Sequence, residues 1–317
     1  MNNKKVLVFG GGTGLSYLLK GLKDFPVDIT AVITVSDNGR STGKLREEFH
    51  IPAVGDIRKV ITNLSKTDDN IKKMLEYRFD TTSDLNGHAL GNLVLTSLIN
   101  ITGSLKTAIE ELSTLLDVEN KVLPLTEDSD VTLMAEMNDH QIIEGESNIT
   151  KYPSKVKKLY YKKEPHIVPD VIKAIKEADL VLLSMGSLYT SIIPHLLSKQ
   201  VIEALDASKA PIVYLCNIVT QPGETDNFSV SDHVNLINTY LGKHKLDAVI
   251  ASNSNISKEL VERYATKEQK DPVKIDYSVL AKLDVELIEA DLLTIVDNTL
   301  KHHSQKLSSL IFSYLLR

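Results

Sequence analysis

The 317-residue sequence predicts a doubly wound α/β fold on a mostly parallel sheet, interrupted by a helical stretch and a β-hairpin insertion. Three observations carry that prediction. A short apolar strand runs straight into a glycine-rich turn and a helix; compact apolar strands return through the second half; and between them lie a long run of helical periodicity and a hairpin signal.

The opening unit reads strand, glycine turn, helix, strand: Val6-Leu7-Val8-Phe9, then Gly10-Gly11-Gly12-Thr13-Gly14, a helix over 15–22 and a strand over 29–35. Strands joined by a crossover helix lie parallel. Over 56–116 apolar residues recur at helical spacing, as in Ile57, Val60, Ile61 and Leu64, and later Leu90, Leu93, Val94 and Leu98. Segments 132–137 and 141–145 flank Asn138-Asp139, which predicts a β-hairpin. Parallel-type strands follow at 180–184, 212–216 and 248–252, with an edge strand at 285–288. A helix is expected over 295–316, with Leu300, Leu307, Leu310, Ile311 and Leu315 among its apolar positions. No internal repeat or low-complexity tract interrupts the chain, so one interleaved domain over 1–317 is expected, with 160–169 the best candidate for an internal boundary.

Hydrophobic residues at 42% and charged residues at 25% are ordinary for a globular chain and exclude a disordered or fibrous design. The formal charge of -6 argues against a nucleic-acid partner. The run Lys155, Lys157, Lys158, Lys162, Lys163 reads as a solvated face, although Tyr160 and Tyr161 keep nucleic acid as the minor alternative. The single cysteine, Cys216, fits a reducing compartment and reads as a core residue. A strand begins almost at once, leaving no room for a secretory signal, and no apolar stretch approaches the ~20 residues of a membrane span. A cytoplasmic protein is expected.

In an open parallel sheet ligands bind beyond the carboxyl ends of the strands, so the loop after each strand is where chemistry is sought. Gly10, Gly11, Gly12, Thr13 and Gly14 would let backbone N–H groups approach a phosphate at the start of the next helix, with Thr13 adding a hydroxyl. The plainer alternative is a turn that only packs helix on strand. The loop lacks the Gly-Lys-Ser/Thr of a Walker A, and Leu15 replaces the third glycine of G-x-G-x-x-G. After the second strand, Asp37 could hold a ribose or Mg²⁺, while Arg40 and Lys44 could meet phosphate; the alternative for Asp37 is a helix cap. Asp56 in Gly55-Asp56-Ile57-Arg58 is equally a cap or a ligand contact, and His88 lacks a partner at metal-ligand spacing. The later loops, 184–191 and 217–225, offer small hydroxyls beside glycine, and Asn and Gln groups suited to a base or sugar edge. No nucleophile stands out: there is no Gly-x-Ser-x-Gly elbow, and a thiol inside a strand is normally inert.

Taken together, Gly10 to Gly14, Ser36 to Gly43, Gly55 to Arg58, Gly87 to Asn92, Gly186 to Ser191, and Cys216-Asn217 through Thr225 resemble the YvcK group of bacterial gluconeogenesis factors, itself similar to the CofD phospholactate transferases. The resemblance covers most of the chain and thins after about Ser254. It implies a Rossmann-like fold and a nucleotide-sugar ligand, with UDP-N-acetylglucosamine leading. It also implies a role in cell shape and wall synthesis during gluconeogenic growth, with a regulatory protein of the cell wall as partner; a second copy of the chain is left open as another. On that reading Gly10, Gly11, Gly12, Thr13, Gly14, Asp37, Asn38, Arg40, Ser187, Tyr189, Thr190, Asn217, Thr220, Gln221 and Gly223 line the ligand site, and any magnesium falls to Asp37 and Asp56. Two departures stand out. Asn38 replaces the second of the family's consecutive aspartates and Arg40 replaces a glycine; Met185 stands where the family tends to have proline.

The reading is therefore a non-catalytic sensor of a nucleotide sugar. The first alternative is a magnesium-dependent phospho-group transferase of the CofD type. The second, an NAD-dependent oxidoreductase, rests only on the glycine loop and Asp37.

Overall fold

The computed structural model describes residues 3–296 and 298–317, with the backbone alone at Arg40. In chain order, β1 (Lys4–Gly10), α1 (Gly12–Leu22) and β2 (Val27–Ile33) lead into five helices, α2 (Arg40–Phe49), α3 (Gly55–Leu64), α4 (Asp69–Glu76), α5 (Leu90–Thr102) and α6 (Leu105–Leu115), then β3 (Lys121–Pro124). An insertion follows, with β4 (Leu133–Met137), β5 (Ile142–Glu144), the single turn α7 (Glu146–Ile149) and β6 (Val156–Tyr161). The second half runs α8 (Pro169–Glu177), β7 (Leu180–Leu183), a π-turn Leu188–Ile192 continuing into a 3-10 turn Ile193–Leu196, α9 (Lys199–Ala207), β8 (Ile212–Leu215), α10 (Val230–Tyr240) and β9 (Ala248–Ser252). It ends with α11 (Lys258–Glu268), α12 (Tyr277–Leu280), β10 (Glu286–Ala290), β11 (Leu293–Val296), β12 (Thr299–His302) and α13 (Ser304–Leu315).

The main sheet has seven strands in the order β10-β9-β8-β7-β1-β2-β3, and every neighbouring pair is parallel. The chain starts in the middle at β1, winds outward to β3, returns to β7 beside β1, and winds the other way. The strand order thus reverses between β1 and β7, where such sheets open a crevice. Alternation along β1 builds both faces: Val6 and Val8 join one core cluster with Leu15, Leu18 and Ile57, while Leu7 and Phe9 join the other with Leu183, Ile192 and Tyr214. On the first face α1 packs against α3 and α13.

The expected hairpin is present as β4 and β5, and β6 adds a third antiparallel strand in the order β5-β4-β6. The basic run lies along and beside β6, where Lys157, Lys162 and Lys163 pair with Glu136, Glu144 and Asp130. The insertion leaves and re-enters the sheet at one place. Thr126 bridges Ile167, and Val168 N–H donates to the Leu125 carbonyl. Residues in the 160–169 stretch are tied into the body, with Tyr161, Ile167 and Val168 buried.

One element differs from expectation. The helix predicted over 295–316 begins only at Ser304, and β11 and β12 form an antiparallel hairpin before it. The β-branched run Thr294-Ile295-Val296 favours a strand. Asn298 adopts a left-handed φ of 57°, which turns the chain, and the His303 side chain accepts the Lys306 N–H to start the helix afresh. Among the described residues no helix is long and apolar enough to cross a membrane.

Candidate ligand-binding cleft

The four glycines at the β1–α1 junction divide their work. A Cβ built at Gly10 would lie 2.0 Å from Ser184 Oγ, and one at Gly14 only 2.2 Å from the Met185 carbonyl oxygen. These two let the β1–α1 turn press against the loop after β7. Gly12 supplies a left-handed φ of 60°. Gly11 caps α1 in extended conformation without a side-chain bond to the first turn, and no acid stands in that turn, so its N–H groups remain available to an anion. Thr13 is exposed there. Leu15, in place of a third glycine, is fully buried in the core.

Asn217 clips the loops after β7 and β8 together: its Oδ1 accepts the Gly186 N–H at 3.0 Å and its Nδ2 donates to the Gly186 carbonyl at 2.7 Å. Ser187 accepts the Thr190 N–H and hydroxyl and donates to Glu224 Oε2 at 2.6 Å. Tyr189 and Thr190 are buried inside this turn. Thr220 holds its loop to Asp271 through two bonds. Gly223, at φ 80°, is exposed and donates its N–H to Asp226. Gln221 Oε1 is buried with no hydrogen-bond partner among the described residues.

Thr13, Gly14, Ser187, Asn217, Thr220 and Gln221 therefore share the wall of one cavity of about 320 Å³, closed on its far side by Leu300, Lys301 and His302. His302, held down at about 4 by burial, bonds the Cys216 carbonyl at 3.1 Å and fastens β12 to the end of β8. Cys216 itself is buried, its thiol pushed up to about 12, as expected of an inert core residue. Thr13, Tyr17 and Lys301 continue into a second cavity of about 500 Å³ that also receives Lys20, Arg58 and Lys59. Arg58 and Lys59 in turn share a third, of about 320 Å³, with Asp37 and Asp56.

Neither aspartate is a helix N-cap. Asp37 Oδ1 accepts the Gly39 N–H in a local turn, and Asp56 sits inside the first turn of α3, paired with Lys59 at 3.1 Å and close against Gly11. Asn38 does not join them. Its Oδ1 accepts the Ser147 N–H at 3.0 Å, which fixes the start of α7, and it faces a separate cavity beside Arg46. Arg40 begins α2, and its side chain lies outside the described residues. His88 is buried against the Ser41 hydroxyl at 2.9 Å.

Two acids that sequence reasoning left unassigned complete the cleft. Glu146, half-buried at the start of α7, is pushed well above its ordinary value by burial and by the charges of Asp37 and Asp56, with a Thr190 hydrogen bond partly offsetting them. Burial also raises Asp37 and Glu224. Glu224 stands within the 217–225 loop and carries no distinguishing signal in sequence; Glu146 follows a hairpin whose place over the cleft no local pattern announces. Lys301 was hidden by the helix expected there.

A raised carboxyl keeps its proton in the folded state while the unfolded chain has lost it, so stability falls as pH rises from the ordinary glutamate value of 4.5 through the raised one. Glu146→Gln is expected to flatten that decline and to gain thermal stability over wild type above the window. Melting temperatures across the pH range check it, and parallel profiles for the two proteins would remove Glu146 as its source.

The fold makes this a Rossmann-like α/β protein with a crevice at the switch point between β1 and β7. Residues 6–293 match the family described as 2-phospho-L-lactate transferase CofD, and the chain belongs to that family. It is 40% identical over 312 residues to the gluconeogenesis factor of Bacillus subtilis, covering 98% of both chains. To that of Halalkalibacterium halodurans it is 41% identical over 312 residues, covering 98% of this chain and 96% of the other. A crystal structure of a Bacillus halodurans protein superposes with a TM-score of 0.95 at 41% identity, covering 98% of this chain and 99% of that one.

Proposed function

We propose that the cleft binds a nucleotide sugar, with UDP-N-acetylglucosamine the leading candidate, and that the protein acts as a sensor coupling that metabolite to cell-wall synthesis during gluconeogenic growth. The observation that carries the ligand class is continuity. A base-sized cavity, with the unpartnered Gln221 Oε1 at its wall, opens past Thr13 onto the uncapped start of α1, where Lys20, Lys301 and Arg58 gather positive charge. Gln221 suits an N–H of a base, and the helix start with the cations suits a diphosphate. The gluconeogenic setting follows the names of the relatives, and the cytoplasm is the compartment it requires.

Calorimetric titration with UDP-N-acetylglucosamine, UDP and GDP tests the reading. Lys301→Glu, on the half-buried β11–β12 hairpin, is expected to weaken UDP-sugar binding about tenfold or more, the equivalent of about 1.4 kcal/mol. If no UDP-sugar binds the wild-type protein, the leading ligand is wrong.

The family match favours a second reading, a phospho-group transferase. Among the described residues no three His, Cys, Asp or Glu side chains form a metal cage. Magnesium commonly uses one or two carboxylates together with substrate phosphates, and Asp37 and Asp56 on one cavity wall meet that requirement. The ion would supply charge neutralisation at the phosphates. Lys59 already pairs with Asp56, so this chain brings its own cation to the same carboxylate. Magnesium-dependent turnover abolished by Asp37→Asn would establish the transferase over the sensor.

A further inference from the structure

The glycine and asparagine of the Gly87-to-Asn92 motif find their use around Arg58, a residue whose burial its sequence position did not foretell. Arg58 is 3% exposed, on α3, with its stem lying against Gly91; a Cβ there would approach Arg58 Cδ to 2.8 Å. Asn92 Oδ1 accepts from Nε at 3.3 Å and sets the plane of the guanidinium. The terminal nitrogens have no hydrogen-bond or ion-pair partner among the described residues. Asp56 and Glu76 are the acids whose charges it feels and Arg78 the neighbouring cation, yet Asp56 is taken by Lys59. A fork of donors, held in place from behind and open in front, is a receptor for an oxyanion.

We propose that Arg58 is an oxyanion clamp that takes a phosphate group in the cavity it shares with Lys59, Arg78, Lys151 and the hydroxyls of Ser41 and Thr42. Four cations on that wall against the two carboxylates of Asp37 and Asp56 leave the cavity, of about 320 Å³, in favour of an anion. This site lies on the α3–α5 side of the glycine loop, away from the base-sized cavity, and a test with inorganic phosphate alone does not depend on what that cavity holds. Two sources present the same chemistry: a separate phosphorylated small molecule, or a phosphate carried by the nucleotide ligand, since Arg58 also borders the cavity that links the two.

Titration of the full chain with inorganic phosphate alone reads the clamp. Saturable binding is expected, weakened about tenfold or more in Arg58→Lys, which keeps the charge and loses the fork, and weakened in Asn92→Ala, which frees the guanidinium plane. Tungstate soaked into wild-type crystals is expected to give an anomalous peak against Arg58, a readout that stands even where a variant fails to fold. Undiminished phosphate binding by a folded Arg58→Lys protein, no saturable binding by wild type, or tungstate bound only elsewhere would each overturn the proposal. Simultaneous binding of phosphate and UDP-N-acetylglucosamine assigns the clamp to a separate molecule, whereas competition assigns it to a phosphate of the nucleotide ligand.

Discussion

Gly14→Ala is expected to destabilise the protein by about 1–3 kcal/mol, the range for forcing a methyl into a filled space. The new Cβ would meet a backbone oxygen, that of Met185, at 2.2 Å, and a backbone atom moves only if the loop after β7 moves with it. Gly11→Ala makes the contrasting case. There the nearest atom is Asp56 Oδ2 at 2.9 Å, the end of a side chain that can turn away. It should fold close to normally and affect ligand binding instead. Denaturant unfolding of the pair checks the difference; equal midpoints for Gly14→Ala and wild type would contradict the packing role.

Asn217→Leu should have the second large effect. It removes both bonds to Gly186, leaving an N–H and a carbonyl without their partner beside a buried turn. At about 1–3 kcal/mol for a stranded buried polar group, a loss near 2 kcal/mol is expected, with nucleotide binding impaired through the loosened loop. Asn217→Asp should retain the acceptor and lose the donor, giving an intermediate result. Wild-type stability in Asn217→Leu, measured by denaturant melts, would show that the clip is idle.

These two residues also show what a sequence discloses. Glycines at a strand–helix junction obey local rules, so the position of the β1–α1 turn was legible, as were the parallel strands, the edge strand and the hairpin at Asn138-Asp139. What those glycines do individually was not. Gly10 and Gly14 answer to atoms more than 170 residues away, on the loop after β7. The resemblance puts Asn38 in the ligand site beside Asp37, whereas its contact to Ser147 N–H at the start of α7 spans more than a hundred residues and leaves no local signal. Glu146 and Lys301 reach the cleft only because an insertion and a terminal hairpin fold back over it. The terminal hairpin reads as helix in sequence because its leucine and isoleucine spacing fits both periods, and the turn residue Asn298 decides between them only in three dimensions.

The single bridge between Thr126 and Ile167, with the bond from Val168 to Leu125, closes the neck of the insertion. A segment that departs and returns through one neck can change length at little entropic expense, because loop closure grows only slowly with length. The β4–β6 sheet with α7 leaves and returns through that neck, is packed into the second core cluster by Leu133, Ala135, Met137, Leu159 and Tyr161, and carries Glu146, an acid raised well above its ordinary value. A change in the length of the insertion's connections therefore shifts Glu146 while the seven-stranded frame stays the same.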